Sequence, residues 1–202
     1  MKIFCIGRNY SEHAKELGNA VPENPVVFAK PDTALLKNGE DFYLPAFSND
    51  VHHELELVIK ISKVGKNIQE KFAANYFNEI GLGIDFTARD VQAQLKSKGL
   101  PWELAKGFDG SAPIGNFIPV QELNLTNINF SLLKNGQLVQ TGNSKDMIFD
   151  FAKIISFISQ YFTLKVGDLI YTGTPAGVGA VAIGDVLEGF IGDKSMLKFE
   201  VK

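Results

Sequence analysis

The chain has 202 residues, 45% of them hydrophobic, and a formal net charge of −3. That much apolar material fills one sizeable core, so a single domain over residues 1–202 is expected. Mild acidity without a Lys/Arg run excludes electrostatic capture of nucleic acid or an anionic membrane, a single cysteine, Cys5, excludes an internal disulfide and points to the cytoplasm, and no stretch reaches the roughly 20 apolar residues of a membrane span.

From the N-terminus, the run MKIFCI stops at Gly7 and Arg8, too short for a secretory leader and followed by no small-residue cleavage site, so a soluble, unprocessed chain is expected. The segment YSEHAKEL predicts a short helix from Ser11 to Leu17. His13 and Glu16 stand three apart there, on one helical face, where the carboxylate can hold the imidazole. A histidine held in this way takes a proton from water near neutral pH, the task of a general base. An isolated pair at this spacing equally suits a solvated helix surface. Lys37-Asn38-Gly39 then reads as an Asn-Gly turn.

The next segment, HHELELVIKI, reads as a strand. Side chains alternate along a strand, so Glu54 and Glu56 share a face with Cα atoms about 6.5 Å apart, a span that one cation can close. Taken alone, the pattern describes a half-exposed strand with Glu54, Glu56 and Lys60 in solvent and Leu55, Leu57, Ile59 and Ile61 inside. His53 has the parity of Leu55 and His52 that of the glutamates, which makes His52 the expected neighbour of the acidic face, with a satisfied core histidine as the alternative for one of the two.

A helix is expected over Gln69 to Asn78, and the run Ile80 to Ile84 reads as a strand ending at Asp85. Asp85 stands at the junction with a helix from Ala88 to Ser97, announced by Thr87 as N-cap with Asp90 three residues on and closed by Lys96, Lys98 and Gly99. Functional groups favour such junctions. Three carboxylates without a thiolate suit a hard divalent ion, Mg²⁺ or Mn²⁺ in preference to Ca²⁺. Lys106, in LPWELAKGFDG, has Trp102, Leu104 and Ala105 as an apolar surround that can bring its ammonium close to a bound anion; as a surface lysine it would snorkel to water.

Lys134-Asn135-Gly136 predicts a hairpin between Ile128–Leu133 and Gln137–Gln140. Apolar residues at Phe151, Ile154, Ile155, Ile158 and Tyr161 predict a core-packed helix from Phe149 to Tyr161. Gly-Asp pairs at 167, 184 and 192 separate apolar runs such as Leu169–Tyr171 and Val186–Ile191, giving a β-rich end with antiparallel or mixed pairing. The segment TGTPAGVG, residues 172–179, can present backbone N–H groups and Thr hydroxyls to a carboxylate, or be a tight turn. It lacks the Gly-Lys-Ser/Thr ending of a nucleotide loop. Arg8 and Lys30 are further anion-pairing candidates. The elements amount to one α+β domain dominated by β.

Taken in order, GRNYSEHAKEL, VVFAKPDTAL, HHELELVIKI, GIDFTARDVQAQLKSKGLPWELAKGFDG, SKDMIFDFAKIISFIS and LIYTGTPAGVG closely resemble the fumarylacetoacetate hydrolase family over nearly the whole chain. The resemblance is strongest to its compact members: acylpyruvate hydrolases, oxaloacetate decarboxylases or tautomerases, and 2-hydroxyhepta-2,4-diene-1,7-dioate isomerases. It implies a rolled mixed β-sheet with a few short helices, a homodimer, Mg²⁺ or Mn²⁺ held by Glu54, Glu56 and Asp85, and an anion-binding Lys106. It also implies a catalytic pair His13 and Glu16 in a lid within about residues 1–20, Thr174 on the substrate carboxylate, and Arg8, Lys30, Arg89 and Gln92 around the pocket. The expected activity is cleavage of the carbon–carbon bond of an acylpyruvate through a stabilised pyruvate enolate. Oxaloacetate decarboxylation or tautomerisation and isomerisation of the dienedioate are the alternatives on the same site. A catalytically silent cation-binding relative is the reading outside enzymology.

Overall fold

The segment Leu55–Ile61 puts Leu55, Leu57, Ile59 and Ile61 on one parity and Val58 between Glu56 and Lys60 on the other, an alternation that suits a strand. In the computed structural model, which describes residues 1–12 and 21–202, it is the middle strand of the largest sheet. The strands of that sheet are β1 (Ile3–Gly7), β2 (Val26–Lys30), β3 (Leu35–Lys37), β5 (Leu55–Ile61), β6 (Phe77–Ile84), β8 (Ala112–Pro119) and β11 (Leu169–Tyr171), in the order β2-β1-β11-β5-β6-β8-β3. The β1–β11 and β3–β8 pairs are parallel and the others antiparallel, so the sheet is mixed. A second, antiparallel sheet joins β9 (Asn129–Lys134), β10 (Gln137–Asn143), β13 (Val186–Ile191) and β14 (Lys194–Glu200). Three short strands, β4 (Val51–His53), β7 (Thr87–Ala88) and β12 (Gly179–Ala180), form a third.

The main core lies between the two larger sheets. Leu55, Leu57, Ile59 and Ile61 meet Leu82, Phe130, Leu132, Leu187 and Leu197 there, all fully or almost fully buried. The opposite face of β5 is narrower, with Val58 against Ile3, Cys5 and Tyr171. Helix α3 (Phe151–Tyr161) closes one side through Ile154, Ile155 and Ile158. It begins two residues later than the periodicity predicts because Asp150 caps it, accepting the Lys153 N–H at 2.8 Å. The Asn-Gly hairpin forms as expected, with Asn135 at φ 55° and Gly136 at φ 77°.

Three local expectations change. The solvated-face reading of HHELELVIKI fails at Glu54 and Glu56, which are buried, and holds at Lys60, whose side chain is 41% exposed beside Glu79. The expected helix over Gln69 to Asn78 is a 3₁₀ segment from Glu70 to Tyr76 that leads straight into β6. The Asn-Gly turn at Lys37-Asn38-Gly39 forms, with the Glu40 N–H on the Lys37 carbonyl at 3.1 Å and Gly39 at φ 87°, but it joins no hairpin, because β3 pairs in parallel with distant β8.

A candidate metal and active site

The β5–β6 ladder positions the acidic residues. Leu55 pairs with Ile84 and Glu56 with Gly83, so the next step of the register sets Asp85 opposite Glu54, and the Asp85 N–H donates to the Glu54 carbonyl at 2.8 Å. Residues opposite each other on antiparallel strands share a face, as do residues two apart on one strand. Glu54, Glu56 and Asp85 therefore converge: one carboxylate oxygen from each lies within 4.8 Å of the others, and all three side chains are buried.

Cations surround the cluster. Lys106 ends the one-turn helix α2 (Glu103–Lys106), and its ammonium donates to Asp85 Oδ2 at 2.6 Å, Thr87 Oγ1 at 2.6 Å and Glu54 Oε2 at 2.9 Å, which uses all three of its protons. Burial pulls its pKa down, but the carboxylates of Asp85 and Glu54 outweigh that and raise it above the usual lysine value. The apolar cover is the ring of Phe28, 5.2 Å from Lys106 Nζ, together with buried Ala105, whereas Leu104 points outward with 71% of its surface exposed.

Lys30, at the end of β2, is buried with its ammonium 2.7 Å from Asp85 Oδ1. That contact lacks hydrogen-bond directionality and is an ion pair only. The protons of Lys30 go to the Ser111 carbonyl at 2.8 Å, Ser111 Oγ at 3.1 Å and the Phe86 carbonyl at 3.3 Å. Arg89 opens helix α1 (Arg89–Ser97), donating to Glu54 Oε1 at 2.6 Å and to Gln92 Oε1 at 2.9 Å. The predicted cap of this helix is not made: the Thr87 hydroxyl serves Glu54 at 3.0 Å, and Asp90 accepts from Ser48 Oγ at 2.6 Å and Asn49 N–H at 3.0 Å.

Glu56 is the carboxylate with least direct compensation. Its Oε2 accepts the Gly173 N–H at 2.7 Å, yet burial, followed by the charges of Asp85 and Glu54, holds its pKa well above the carboxylate range. A buried oxygen cluster whose members repel one another fits a hard divalent cation, and Glu54, Glu56 and Asp85 would hold it. The side chains alone are balanced, three carboxylates against Lys30, Lys106 and Arg89. A divalent ion would leave surplus positive charge for an anion.

The loop after β11 runs alongside. Thr172 donates through its N–H and its hydroxyl to the Leu57 carbonyl at 3.1 and 2.9 Å, and buried Thr174 follows. Buried Asn9 anchors the loop, donating to the Thr172 carbonyl at 2.7 Å and the Phe149 carbonyl at 3.0 Å while accepting the Phe149 N–H at 2.7 Å. Arg8, just before it, is half-buried at φ 61°, a left-handed conformation that costs a non-glycine residue energy. Burial lowers the pKa of Lys96, and so do the charges of Arg8, Arg89 and Lys106. His13 and Glu16 lie outside the described residues.

Of the two adjacent histidines, His53 is inside as its parity with Leu55 predicts, whereas His52 is paired with Asp50 and not with the acidic face. His53 is the buried one, with Nδ1 2.9 Å from Gln140 Oε1, while His52 Nε2 meets Asp50 Oδ1 at 2.8 Å. β4 ends at His53 and pairs in a different sheet from β5, so the side chain of His52 does not continue the face of Glu54 and Glu56. Sequence reasoning missed Asn9 and Gln140 altogether; Asn9 stood inside the GRNY block, and that was its only signal.

Residues 2–202 match the fumarylacetoacetate (FAA) hydrolase C-terminal family. Among curated relatives, a mitochondrial oxaloacetate decarboxylase of Dictyostelium discoideum is 43% identical, over 99% of this chain and 93% of its own. A mitochondrial oxaloacetate tautomerase of Bos taurus is 42% identical, over 99% of this chain and 91% of its own. Among solved structures, fumarylpyruvate hydrolase of Pseudomonas aeruginosa in complex with Mn²⁺ and pyruvate superposes with a TM-score of 0.94 at 35% identity, covering 100% of this chain and 89% of that one.

Proposed function

The chain belongs to the fumarylacetoacetate hydrolase family, and from that premise we propose that it acts on a small 2-oxo acid, with oxaloacetate as the leading substrate. The reaction is keto–enol tautomerisation through the oxaloacetate enolate, with loss of CO₂ from the keto form, which leaves the pyruvate enolate, as the accompanying reaction at the same site. The observation that carries this reading is the convergence of buried Glu54, Glu56 and Asp85 beside Lys106. When bound there, Mg²⁺ or Mn²⁺ supplies a Lewis acid that lowers the energy of an enolate oxygen.

The side chains do the rest. Lys106 keeps its proton because of its two carboxylate partners, so it presents a fixed positive charge to the anionic end of the substrate. Thr174 donates to the substrate carboxylate, Arg89, held by Glu54 and Gln92, adds a second cation at the rim, and Arg8 a third. Lys30 holds Asp85 in place from beneath. In tautomerisation a base removes a proton from C3 and a proton is delivered to the oxygen. In decarboxylation the C3–C4 electron pair stays on C3 as CO₂ leaves, and C3 then takes up a proton. His13, assisted by Glu16, is the proton carrier.

The Pseudomonas neighbour, described as a fumarylpyruvate hydrolase, favours a second reading. Here His13 takes a proton from water, the hydroxide adds to the distal carbonyl of an acylpyruvate, and the adduct collapses with cleavage of the carbon–carbon bond. Pyruvate enolate and a carboxylic acid leave, and the enolate carbon is protonated. One assay covers both readings: decay of enol-oxaloacetate absorbance, and pyruvate release from oxaloacetate and from acetylpyruvate, with Mg²⁺ and then with EDTA. Turnover of oxaloacetate that stops in EDTA is expected, together with loss of acylpyruvate cleavage but not of Mn²⁺ binding in His13→Ala. Silence on every substrate with Mg²⁺ and with Mn²⁺ would leave a cation-binding protein without this activity.

A further inference from the structure

Gln140 is buried, and its side-chain amide joins three elements. Oε1 accepts the Leu55 N–H at 3.0 Å and meets His53 Nδ1 at 2.9 Å. Nε2 donates to Thr174 Oγ1 at 2.9 Å and to the Pro175 carbonyl at 3.1 Å. The orientation of the amide follows from its partners, since a backbone N–H only donates and a carbonyl only accepts. By the same reasoning His53 carries its proton on Nδ1. Thr174 Oγ1 receives the Gln140 proton, so its own hydroxyl proton is left for another acceptor, and the Pro175 carbonyl at 3.5 Å is too far to hold it.

The backbone delivers Gln140 to this place. The β9–β10 register runs Leu138 to Leu133 and then Gln140 to Leu132, which leaves Val139 unpaired as a bulge. The 172–179 loop packs on that bulge so tightly that a Cβ on Gly177, at φ 96°, would stand 2.5 Å from the Val139 carbonyl oxygen.

We propose that Gln140 is a positioning residue that orients the Thr174 hydroxyl as a donor toward the anionic end of the substrate and ties the Thr174 loop to the strand carrying Glu54 and Glu56. The proposal rests on the reading in which Thr174 meets the substrate carboxylate. Nothing in the Glu-x-Glu or TGTP segments announces it, because Gln140 lies 85 positions from Leu55 and 34 from Thr174.

The test is a double-mutant cycle. Gln140→Glu keeps the shape and the acceptor for Leu55 and His53, but sets an oxygen against Thr174 Oγ1, so that the hydroxyl turns its proton onto the introduced carboxylate. KM for oxaloacetate, and the Kd of oxalate, a planar dianion shaped like pyruvate enolate, should rise about tenfold, the worth of one charge-assisted hydrogen bond. Mn²⁺ affinity by titration calorimetry should stay within about twofold of wild type, and kcat should change less than KM. In a Thr174→Ala background the substitution should add nothing, whereas in Thr174→Ser, which keeps the hydroxyl, the full effect should persist. Should Gln140→Glu melt well below wild type, Gln140→Met replaces it in the cycle. Additive losses, or an unchanged oxalate Kd in Gln140→Glu while Thr174→Ala weakens it, overturn the positioning role and leave the carboxylate reading intact. An unchanged oxalate Kd in Thr174→Ala overturns both.

Discussion

Glu56 shows what the fold accepts in order to build the site. Its carboxyl is buried beside two others, and its proton is held more tightly in the folded chain than in the unfolded one. A raised carboxyl pKa means that, without metal, stability falls as pH rises from the unfolded value through the folded one. Glu56→Gln removes that liability, so in EDTA the variant should melt higher than wild type at neutral pH and show a flatter pH profile. The difference should shrink as pH falls into the carboxylate range. Parallel melting curves for the two proteins across that pH range would show that the carboxyl is already compensated. Mg²⁺ or Mn²⁺ should reverse the order, since only the wild type keeps all three ligands. At this scale the pairing of Glu54 with Glu56 was legible in the sequence because the Glu-x-Glu spacing has a geometric meaning. Lys30 was legible as a cation and not as the support of Asp85, a contact spanning 55 positions that no local pattern encodes.

At the scale of elements, the site depends on two devices: the β5–β6 register, which sets Asp85 opposite Glu54, and the loop after β11, which brings Gly173 to Glu56. Gly173 sits at φ 103°, and a Cβ there would stand 2.6 Å from Asn9 Cβ and 3.2 Å from the Ile6 carbonyl oxygen. Gly173→Ala should therefore cost about 1–3 kcal/mol of stability. It should also raise KM for the 2-oxo acid by shifting Thr174; an unchanged melting temperature and KM would mean that the loop tolerates the strain. The hairpin at Asn135-Gly136 and helix α3 could be read directly, because turn chemistry and 3.6-residue periodicity are local. The helix start at Thr87 was misread for an instructive reason: a threonine that looks like a cap is instead recruited by Lys106 and Glu54. Within HHELEL, parity placed Glu54 with Glu56 correctly and failed only at His52, because β4 pairs in a different sheet from β5.

At the scale of the molecule, a mixed sheet packed against an antiparallel one gathers residues from five separate segments around one acidic centre: Lys30, Glu54 with Glu56, Asp85 with Arg89, Lys106, and Gly173 with Thr174. The family and the outline of the fold were legible because six motif blocks recur in order. Asn9 and Gln140 were not, since each acts through contacts at least 34 positions away. The central claim is that Glu54, Glu56 and Asp85 hold one divalent ion between them. Calorimetric titration of the EDTA-stripped chain with Mn²⁺ tests it most directly, alongside Glu54→Gln, Glu56→Gln and Asp85→Asn. One site per chain, lost or severely weakened in each of the three variants while the fold is retained, is the expected result. Mn²⁺ binding that is absent in the wild type, or indifferent to all three substitutions, would contradict it.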